Sequence, residues 1–226
     1  MCGRFFRHKV SWEEYYAQLA LFRPDEIPEN EPAYNVAPTQ IAPIIRQLHD
    51  SEEVELAFAM WGLVPVWWKK PLSEKKFSTF NAKAEEAHEK PTFRSAFKSK
   101  PCLVPMSGFY EWKGPKGKKQ PYAISMRNRR WFYVAGLWDR AYIDDEPLDS
   151  FTILTTAPND FMEGIHNRMP LIPEQSDAKA WITGSLDERM AMIAPYAGND
   201  LHAWPVDKAV GNVRNQGEEL IAPMGQ

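Results

Sequence analysis

CLVPMSGFYEW, residues 102–112, is the stretch of this chain that indicates the fold most clearly. It is short, it is rich in β-branched and aromatic side chains, and Pro101 and Lys113 bound it, a composition typical of β-strands. Five further runs share these properties: IAPIIRQL (41–48), VELAFAMWGLV (54–64), PYAISM (121–126), WFYVAGLWD (131–139) and FTILTTA (151–157). The sequence therefore predicts a core built mainly from strands.

Helical segments are fewer, and they do not alternate regularly with the strands. Ser11 followed by Glu14 has the pattern of a capping box and predicts a helix over about 11–21. Two more helices are predicted near 176–183 and 186–194, before a last strand around HAWPV (202–206). A parallel doubly wound sheet is therefore not expected. We expect an α+β fold: a single domain over residues 1–226, with an antiparallel, barrel-like β-sheet core, peripheral helices and a short C-terminal tail after about residue 217.

The bulk composition is that of a soluble globular protein. The 226 residues suffice for a sizeable core, and 44% hydrophobic and 25% charged residues are ordinary. No apolar run is long enough for a membrane helix, and the first ten residues lack the apolar stretch of a signal peptide. With only Cys2 and Cys102 in the chain, we expect no disulfide framework and a cytoplasmic location. No zinc-ligand spacing and no nucleotide-binding glycine loop occurs, so neither a metal nor a cofactor is expected.

The net charge of −3 conceals an uneven distribution. Between Val64 and Arg130 there are 16 Lys and Arg against 5 Asp and Glu, a local balance of +11. A basic middle within an acidic chain could bind phosphate groups. A solvated, lysine-rich surface explains the same pattern, and charge alone favours that simpler interpretation.

Cys2 directly follows the initiator methionine. Methionine is generally removed when the next side chain is small, and Cys2 would then carry a free α-amine beside its thiol. An amine attacks an aldehyde to form a Schiff base, and a neighbouring thiol can close on that imine as a five-membered thiazolidine. The same amine could instead act as base for the thiol, as in hydrolases with an N-terminal nucleophile. A small residue without any chemical task remains the third possibility.

Two segments carry polar side chains suited to catalysis. In FNAKAEE, Asn81 and Lys83 lie two residues apart, so an extended chain would present both on one side. Asn81 could then hold a reacting group and Lys83 could pair with a phosphate, although an ordinary polar loop has the same composition. In GFYEW, Glu111 lies between aromatic residues, which would raise its pKa and suit it to proton transfer. The alternative is a glutamate on the solvent face of the strand.

Two further motifs combine cations with histidine or with aromatic rings. GIHNRMP places His166, which could transfer protons near neutral pH, two residues before Arg168, whose planar guanidinium could hold a phosphate. MWGLVPVWWKKP places Trp67 and Trp68 before two lysines, and stacking rings beside cations are typical of single-stranded nucleic acid binding. A histidine in a loop and an aromatic cluster of the core are the corresponding structural explanations.

Eight motifs in this order resemble one family, the SOS response-associated peptidase (SRAP) family of abasic-site processing proteins. They are MCGRF (1–5), YNVAPTQ (34–40), MWGLVPVWW (60–68), FNAKAE (80–85), CLVPMSGFYEW (102–112), KKQPY (118–122), HNRMP (166–170) and VGNVRNQG (210–217). The resemblance covers essentially the whole chain. It implies binding to an abasic site in single-stranded DNA or at its junction with duplex. It also implies that the N-terminal cysteine captures the aldehyde of the opened sugar as a thiazolidine, which crosslinks protein to DNA and shields the lesion. Nothing in the sequence demands more than a monomer, so we expect a monomer that is nucleoid-associated when it acts on DNA.

The resemblance also implies roles for individual residues. Cys2 is similar to the family's nucleophile, Asn81 to the residue that orients the N-terminus and the sugar, Glu111 to the acid or base of ring opening, and His166 to a second proton-transfer group linked to crosslink reversal. The residues that resemble DNA contacts are Arg4 and Arg168 at phosphates, with Asn35, Pro38, Trp67, Trp68 and Thr155 on the binding surface.

One position departs from the family. Members usually have arginine where this chain has Lys83, which keeps the charge but loses the bidentate fork. We expect phosphate binding there with poorer geometry. Two other functions stay open from the sequence: a cysteine peptidase or autopeptidase that uses Cys2 as an N-terminal nucleophile, and a noncatalytic binder of single-stranded DNA. Because only Met1 precedes Cys2, an ordinary aminopeptidase would suffice to expose the cysteine.

Overall fold

A computed structural model describes residues 2–19, 31–47 and 53–225. Within these ranges it has twelve β-strands: β1 (Phe5–Arg7), β2 (Ala33–Val36), β3 (Ile41–Gln47), β4 (Val54–Trp61), β5 (Asn81–Lys83), β6 (Pro101–Met106), β7 (Gly108–Lys113), β8 (Gln120–Met126), β9 (Phe132–Ile143), β10 (Glu146–Thr156), β11 (Met169–Pro170) and β12 (Leu201–Pro205). All six predicted strand runs and the predicted last strand are confirmed. Leu48, the end of the first of these runs after β3, lies outside the described residues.

The helices of the described residues are short. They are α1 (Trp12–Leu19), α2 (Ala84–Ala87), α3 (Arg94–Ser99), α4 (Asp160–Glu163), α5 (Ala178–Thr183) and α6 (Leu186–Ala191), with 3-10 turns at Leu72–Glu74, Lys208–Gly211 and Glu218–Ile221. Helices α1, α5 and α6 confirm the three predicted helices, and residues 20–21 lie outside the described part. Ser185 and Glu188 form a capping box at the start of α6. None of the described helices is long and apolar enough to cross a membrane.

Five strands close into a barrel in the order β10-β4-β3-β6-β9, with β9 pairing back to β10. Four of these five pairings are antiparallel, whereas β4 runs parallel to β10. The short strands β5 and β11 also pair with β10, β5 in parallel. The predicted barrel-like core is confirmed. The one parallel pairing within the barrel joins β4 to β10, and β5 is aligned on the same strand.

The other sheet has five strands in the order β12-β8-β7-β1-β2, and all of its pairings are antiparallel. The N-terminal strand β1 is therefore an interior strand, hydrogen-bonded to β2 on one side and β7 on the other. This sheet packs on the barrel through a shared apolar cluster that contains Phe5, Trp61, Phe109, Ile124 and Phe151. The start of the chain is thus fixed between the two sheets.

Both faces of the barrel strands are buried. The adjacent residues Ile44 and Ile45 of β3 are both fully buried but belong to two different apolar clusters. The cluster that contains Ile45 includes side chains of α1, α3 and α5, among them Tyr15, Phe97 and Trp181. Strands buried on both faces appear in the sequence as nearly continuous apolar runs, which is why these runs do not alternate between apolar and polar residues.

The run at 102–112 forms two strands rather than one, because the chain changes sheets at Ser107. Strand β6 belongs to the barrel, and β7 belongs to the five-stranded sheet. Ser107 donates its N–H to the Phe6 carbonyl at 2.8 Å, its hydroxyl accepts from His8 N–H at 2.9 Å, and its carbonyl accepts from the Ser125 hydroxyl at 2.6 Å. These bonds satisfy the backbone at the corner between the sheets.

Gly108 is required at this corner because a side chain has no space there. A Cβ atom at Gly108 would overlap the Phe6 ring and the Ile124 carbonyl oxygen. We expect Gly108→Ala to lower the free energy of unfolding by roughly 2–3 kcal/mol, since overpacking against backbone forces the strands apart. Urea unfolding measures this change. Gly211→Ala is the matched control, since a Cβ at Gly211 meets no atom within 4 Å; equal stability of the two variants would contradict the prediction.

Residues after about 217 do not form the expected tail. Leu220 is buried, the indole N–H of Trp204 donates to the Ile221 carbonyl at 2.7 Å, and the Met224 N–H donates to the Pro205 carbonyl at 2.9 Å. An apolar residue at 220 and the turn that carries it anchor this segment to β12. The C-terminal segment therefore belongs to the folded domain.

Candidate functional site

Cys2 lies just before β1 and is fully buried. Its carbonyl accepts a hydrogen bond from Nδ2 of Asn81 at 2.7 Å, and its thiol donates to the Arg4 carbonyl at 3.7 Å. Burial raises the pKa of the Cys2 thiol well above its ordinary value, and the negative charge of Glu111 raises it further. The thiol is therefore protonated at neutral pH in this form of the chain.

Asn81 is positioned by its neighbours in the barrel. The carbonyl of the preceding residue, Phe80, accepts from the Trp61 indole N–H at 2.7 Å and from the Ile153 N–H at 3.0 Å. Strand β5 then runs parallel to β10 with Asn81 opposite Ile153. Residues Asn81–Lys83 are extended, with Ala82 buried and Lys83 exposed, which is the conformation in which Asn81 and Lys83 lie on one side of the chain. Oδ1 of Asn81 is buried and accepts no hydrogen bond from the described residues, so it can accept one from a bound group.

Glu111 is on β7 and only 3% exposed, so the alternative of a solvent-facing glutamate is wrong. The N–H of the preceding Tyr110 donates to the Arg4 carbonyl at 3.0 Å, which aligns β7 with the first residues of the chain. The carboxylate of Glu111 is close enough to the Cys2 thiol for its negative charge to raise the pKa of that thiol. A buried carboxylate beside a thiol can exchange protons with groups bound there.

Arg168 is held in a fixed orientation by Glu85 of α2. Its guanidinium forms two parallel hydrogen bonds to the Glu85 carboxylate, at 3.0 and 2.7 Å, and a third to the Thr155 carbonyl. Partial burial raises the pKa of Glu85, but the hydrogen bonds and charge of Arg168 outweigh this effect and hold the pKa below its usual value. The guanidinium is therefore preorganised at the end of β10.

His166 is half-buried and joined to the same loop. Its Nδ1 lies 3.1 Å from the Arg168 nitrogen and 3.2 Å from the Arg168 carbonyl oxygen. Nδ1 accepts from the N–H in one tautomer and donates to the carbonyl in the other. The orientation of His166 and the backbone of Arg168 depend on each other.

Lys83 also has an acidic partner on α2. Its ammonium group lies 3.0 Å from Glu86 at a largely exposed position. Since Lys83 is opposite Thr155 in the register of β5 and β10, it is on the same strand ends as Arg168. Arg168 and Lys83 are thus both paired with neighbouring carboxylates. Arg168 makes two hydrogen bonds to Glu85, and Lys83 makes a single contact with Glu86.

Pro38 lines an open cleft of about 320 Å³ next to Asn81. Phe77 and Phe80 line the same cleft, and Lys75 places its ammonium 4.9 Å from the Phe77 ring. Trp68 packs edge-on against Phe77 at 5.5 Å between ring centroids, and the 52% exposed Trp67 lies beyond it. The cleft has the apolar, aromatic walls that a nucleobase could stack on.

Two of the residues predicted on the DNA-binding surface have no exposed surface in this structure. Asn35 is fully buried, and its amide donates to the carbonyls of Val210, Asn212 and Asn215 at 3.2, 3.0 and 2.9 Å. Thr155 is fully buried, with its hydroxyl 3.3 Å from the Ala82 carbonyl. Both side chains are used inside the fold, so DNA contacts at Asn35 and Thr155 stay predictions that the burial of these side chains does not support.

Arg4 is half-buried and linked to the loop that Asn35 anchors. Its guanidinium donates to the Gly3 carbonyl at 3.1 Å and to the Gly211 carbonyl at 3.3 Å. Asn35 thus supports Arg4 indirectly, since it fixes the 210–215 segment from the other side. This arrangement gives the VGNVRNQG motif a role in shaping the surroundings of the N-terminus.

The contacts therefore connect the predicted catalytic residues to the predicted cations. Cys2, Asn81 and Glu111 meet at the start of β1, and β5 leads from Asn81 to Lys83, Thr155, Arg168 and His166. A sequence-family comparison matches residues 1–213 to the model described as SOS response associated peptidase (SRAP). The chain belongs to this family.

The chain is also similar over its full length to named members of the family. It is 36% identical to abasic site processing protein YoqW of Bacillus subtilis (strain 168), over 98% of this chain and 99% of that protein. It is 31% identical to abasic site processing protein YedK of Escherichia coli (strain K12), over 99% of this chain and 100% of that protein. Abasic site processing protein HMCES of Xenopus tropicalis is 30% identical over 85% of this chain and 66% of its own length.

Solved structures share the fold. A protein from Bordetella bronchiseptica superposes with a TM-score of 0.77 at 27% identity, covering 91% of this chain and all of that one. A protein from Bacteroides thetaiotaomicron superposes with a TM-score of 0.75 at 26% identity, covering 96% of this chain and 91% of that one. The barrel and its five-stranded sheet are therefore a recurring architecture of the SRAP fold.

Glu85 is the contributor to this site that the sequence did not indicate. It accepts both arms of Arg168 and also the Ala157 N–H at 3.2 Å. The signal available was the pair of glutamates after Lys83 in FNAKAEE, four residues beyond Asn81. Their spacing alone does not reveal which of them meets an arginine 83 residues further along the chain.

Proposed function

We propose that this protein binds an abasic site in single-stranded DNA and, once Met1 is removed, forms a covalent thiazolidine with the opened sugar through Cys2. The observation that carries this proposal is the hydrogen bond of Asn81 to Cys2 beside the buried Glu111 carboxylate. It holds Cys2 inside the fold next to a buried carboxylate. The names of the full-length relatives support the same substrate.

The reaction needs only the α-amine, the thiol and the aldehyde. The amine nitrogen adds to the aldehyde carbon, and loss of one water leaves an imine. The thiol sulfur then adds to the imine carbon while its proton goes to nitrogen, which closes the five-membered ring. Because the pKa of the buried thiol is raised, the sulfur reacts best after the imine has formed, when the nitrogen can take its proton.

The neighbouring side chains suit the individual steps. Oδ1 of Asn81 can accept a hydrogen bond from the α-amine or from a sugar hydroxyl. Glu111 is placed to move the proton that opens the sugar ring and the proton that leaves with water. His166 can exchange a proton with the opened sugar and assist reversal of the crosslink.

The proposed DNA contacts begin with Arg4 and Arg168 at phosphates and Lys83 as a weaker contact. Trp67, Trp68 and Pro38 border the aromatic cleft in which a neighbouring base could stack. The carboxylates of Glu85 and Glu86 already pair with Arg168 and Lys83, so DNA phosphates have to compete with them. We propose that the protein acts as a monomer and prefers single strands or their junctions with duplex, because aromatic walls stack on bases that are unpaired.

Incubation with a single-stranded oligonucleotide carrying one abasic site tests the function. We expect a species that survives a denaturing gel and whose mass equals protein without Met1 plus DNA minus one water. Peptide cleavage without this adduct would instead support the cysteine peptidase. Salt-sensitive binding with neither adduct nor cleavage would support a noncatalytic DNA binder.

Glu111→Gln tests the proton-transfer role. We expect the crosslinking rate on saturating DNA to fall by roughly 100-fold while affinity changes little, the range typical for loss of a general acid or base. The substitution also removes the negative charge that raises the pKa of the Cys2 thiol, and this effect alone would speed crosslinking. A faster reaction, or weaker binding with an unchanged bound-state rate, would contradict the assigned role.

A further inference from the structure

A second cleft, of about 580 Å³, lies outside the site described above. Four cationic side chains line it, against the single carboxylate of Glu218: Lys9, Arg127, Arg129 and Arg130. Two histidines and two larger aromatic residues complete its walls: His8, His202, Tyr34 and Trp204. It is thus a basic and aromatic surface to which the proposed chemistry assigns no task; we refer to it as the basic cleft.

The basic cleft is at the opposite end of the five-stranded sheet from Cys2. His8 follows the end of β1, and the register aligns that end with Gly108, Ser125 and His202 on the neighbouring strands. Cys2 precedes the start of β1, beside Glu111. At a rise of about 3.3 Å per residue, the six residues from Cys2 to His8 span about 20 Å.

Its positive charge is poorly compensated. Lys9 and Arg127 are exposed and form no ion pair with any residue in the described part of the chain. Arg129 reaches Glu174 only at 3.9 Å, and Arg130 donates to the Lys9 carbonyl at 3.3 Å rather than to a carboxylate. This differs from Arg168 and Lys83, whose charges are paired. Unpaired cations around a concave surface attract anions.

The aromatic groups favour nucleic acid over a small anion. The His202 ring stacks on Trp204, with 4.8 Å between centroids and 24° between planes, and the indole N–H of Trp204 is fixed by Ile221. Burial lowers the pKa of both His8 and His202, aided at His202 by the charge of Arg127 and at His8 by that of Arg130, so both rings are neutral at pH 7. Flat rings among cations are the combination that binds single strands, by stacking on bases and neutralising the backbone.

We propose that the basic cleft is a second DNA contact, which holds a single-stranded segment of the same molecule whose lesion is at Cys2. This inference rests on the proposed function for the identity of the DNA. A single strand has to continue for several nucleotides beyond the lesion to cover the distance of about 20 Å between the two sites. Affinity should therefore rise when the strand becomes long enough to reach both.

The test uses undamaged DNA, so that no covalent step contributes. Fluorescence anisotropy compares oligothymidylates of about 3 and about 20 nucleotides, of which only the longer can cover both sites at once. We expect Arg127→Glu to weaken binding of the longer strand by roughly tenfold and to lower its salt dependence, while the shorter strand is bound as before. Lys179→Glu on α5 is the matched control, because it changes the same charge at another exposed position and should alter neither affinity.

Three results would overturn the inference: unchanged binding of the longer strand by Arg127→Glu, an equal loss for both lengths, or an equal loss with Lys179→Glu. These outcomes are independent of the lesion chemistry. A protein that forms no adduct with abasic DNA would refute the proposed function and still show whether the cleft binds a strand. Arg127→Glu should also crosslink a short abasic oligonucleotide at the unaltered rate, which a misfolded variant would not.

Discussion

We expect Cys2→Ala to eliminate the adduct that survives denaturation, while the variant still folds and binds DNA. Alanine is small enough for Met1 to be removed, so the variant keeps a free α-amine at the same position. It can form the imine but has no sulfur to close the ring, and an imine reverts on denaturation. The measurement is a denaturing gel of protein incubated with abasic single-stranded DNA, in which the adduct should fall to background.

Two comparisons make this result specific. Cys102→Ala removes the other cysteine, also fully buried, and should retain the adduct at a stability cost of about 1–2 kcal/mol. Adding borohydride to the Cys2→Ala reaction should restore a stable adduct, because reduction converts the imine to an amine that cannot revert. A persistent adduct without reductant, or none with it, would show that the α-amine and thiol are not the reacting pair.

We expect an uncleaved N-terminal extension to eliminate the crosslink as completely as Cys2→Ala does, even though the thiol is intact. An amide nitrogen has no basic lone pair and cannot form the imine, so ring closure never becomes possible. Its Cys2 carbonyl can still accept the hydrogen bond from Asn81, which allows the fold to be retained. Protein carrying a blocked terminus, and the same protein after proteolytic exposure of Cys2, are compared on one gel.

The same tag at the C-terminus is the control and should not interfere. Mass spectrometry has to establish the N-terminal residue of each sample, since a sample that retains Met1 is expected to be inactive for the same reason. An undiminished crosslink from protein with a verified blocked amine would refute the thiazolidine and leave the thiol as sole nucleophile.

The sequence was sufficient for the longer strands, because their apolar runs are determined by burial and bounded by turn residues. It did not predict the short strands β1, β2 and β11. It did not reveal that 102–112 changes sheets, since Ser107 makes its corner through bonds to β1 and β8, which are distant in sequence. It also did not reveal the hairpin between β9 and β10. That turn places Asp144 and Asp145 at φ of 52° and 66°. Aspartate can adopt this left-handed conformation, but an Asp-Asp pair is a weaker sequence signal for a hairpin turn than a pair that contains glycine.

The sequence indicated local features of some site residues, but not the long-range contacts of others. The spacing of Asn81 and Lys83 placed both on one side of an extended chain, whereas the aromatic neighbours of Glu111 left a buried and a solvent-facing carboxylate both open. The inward orientation of Asn35 did not follow, because its three carbonyl partners lie about 175 to 180 residues away. Glu85 likewise acquires its role only when β10 brings Arg168 beside α2. Long-range partners of polar side chains cannot be read from a single sequence.

The interior place of β1 has a consequence for when the protein can be matured. Strand β2 follows β1 soon in the chain, whereas β7 is synthesised about 100 residues later, so at about 5–20 residues per second β1 lacks its second neighbour for about 5–20 s. In the complete fold Cys2 is fully buried. We therefore expect removal of Met1 to occur mainly during synthesis, before β1 has both of its neighbours.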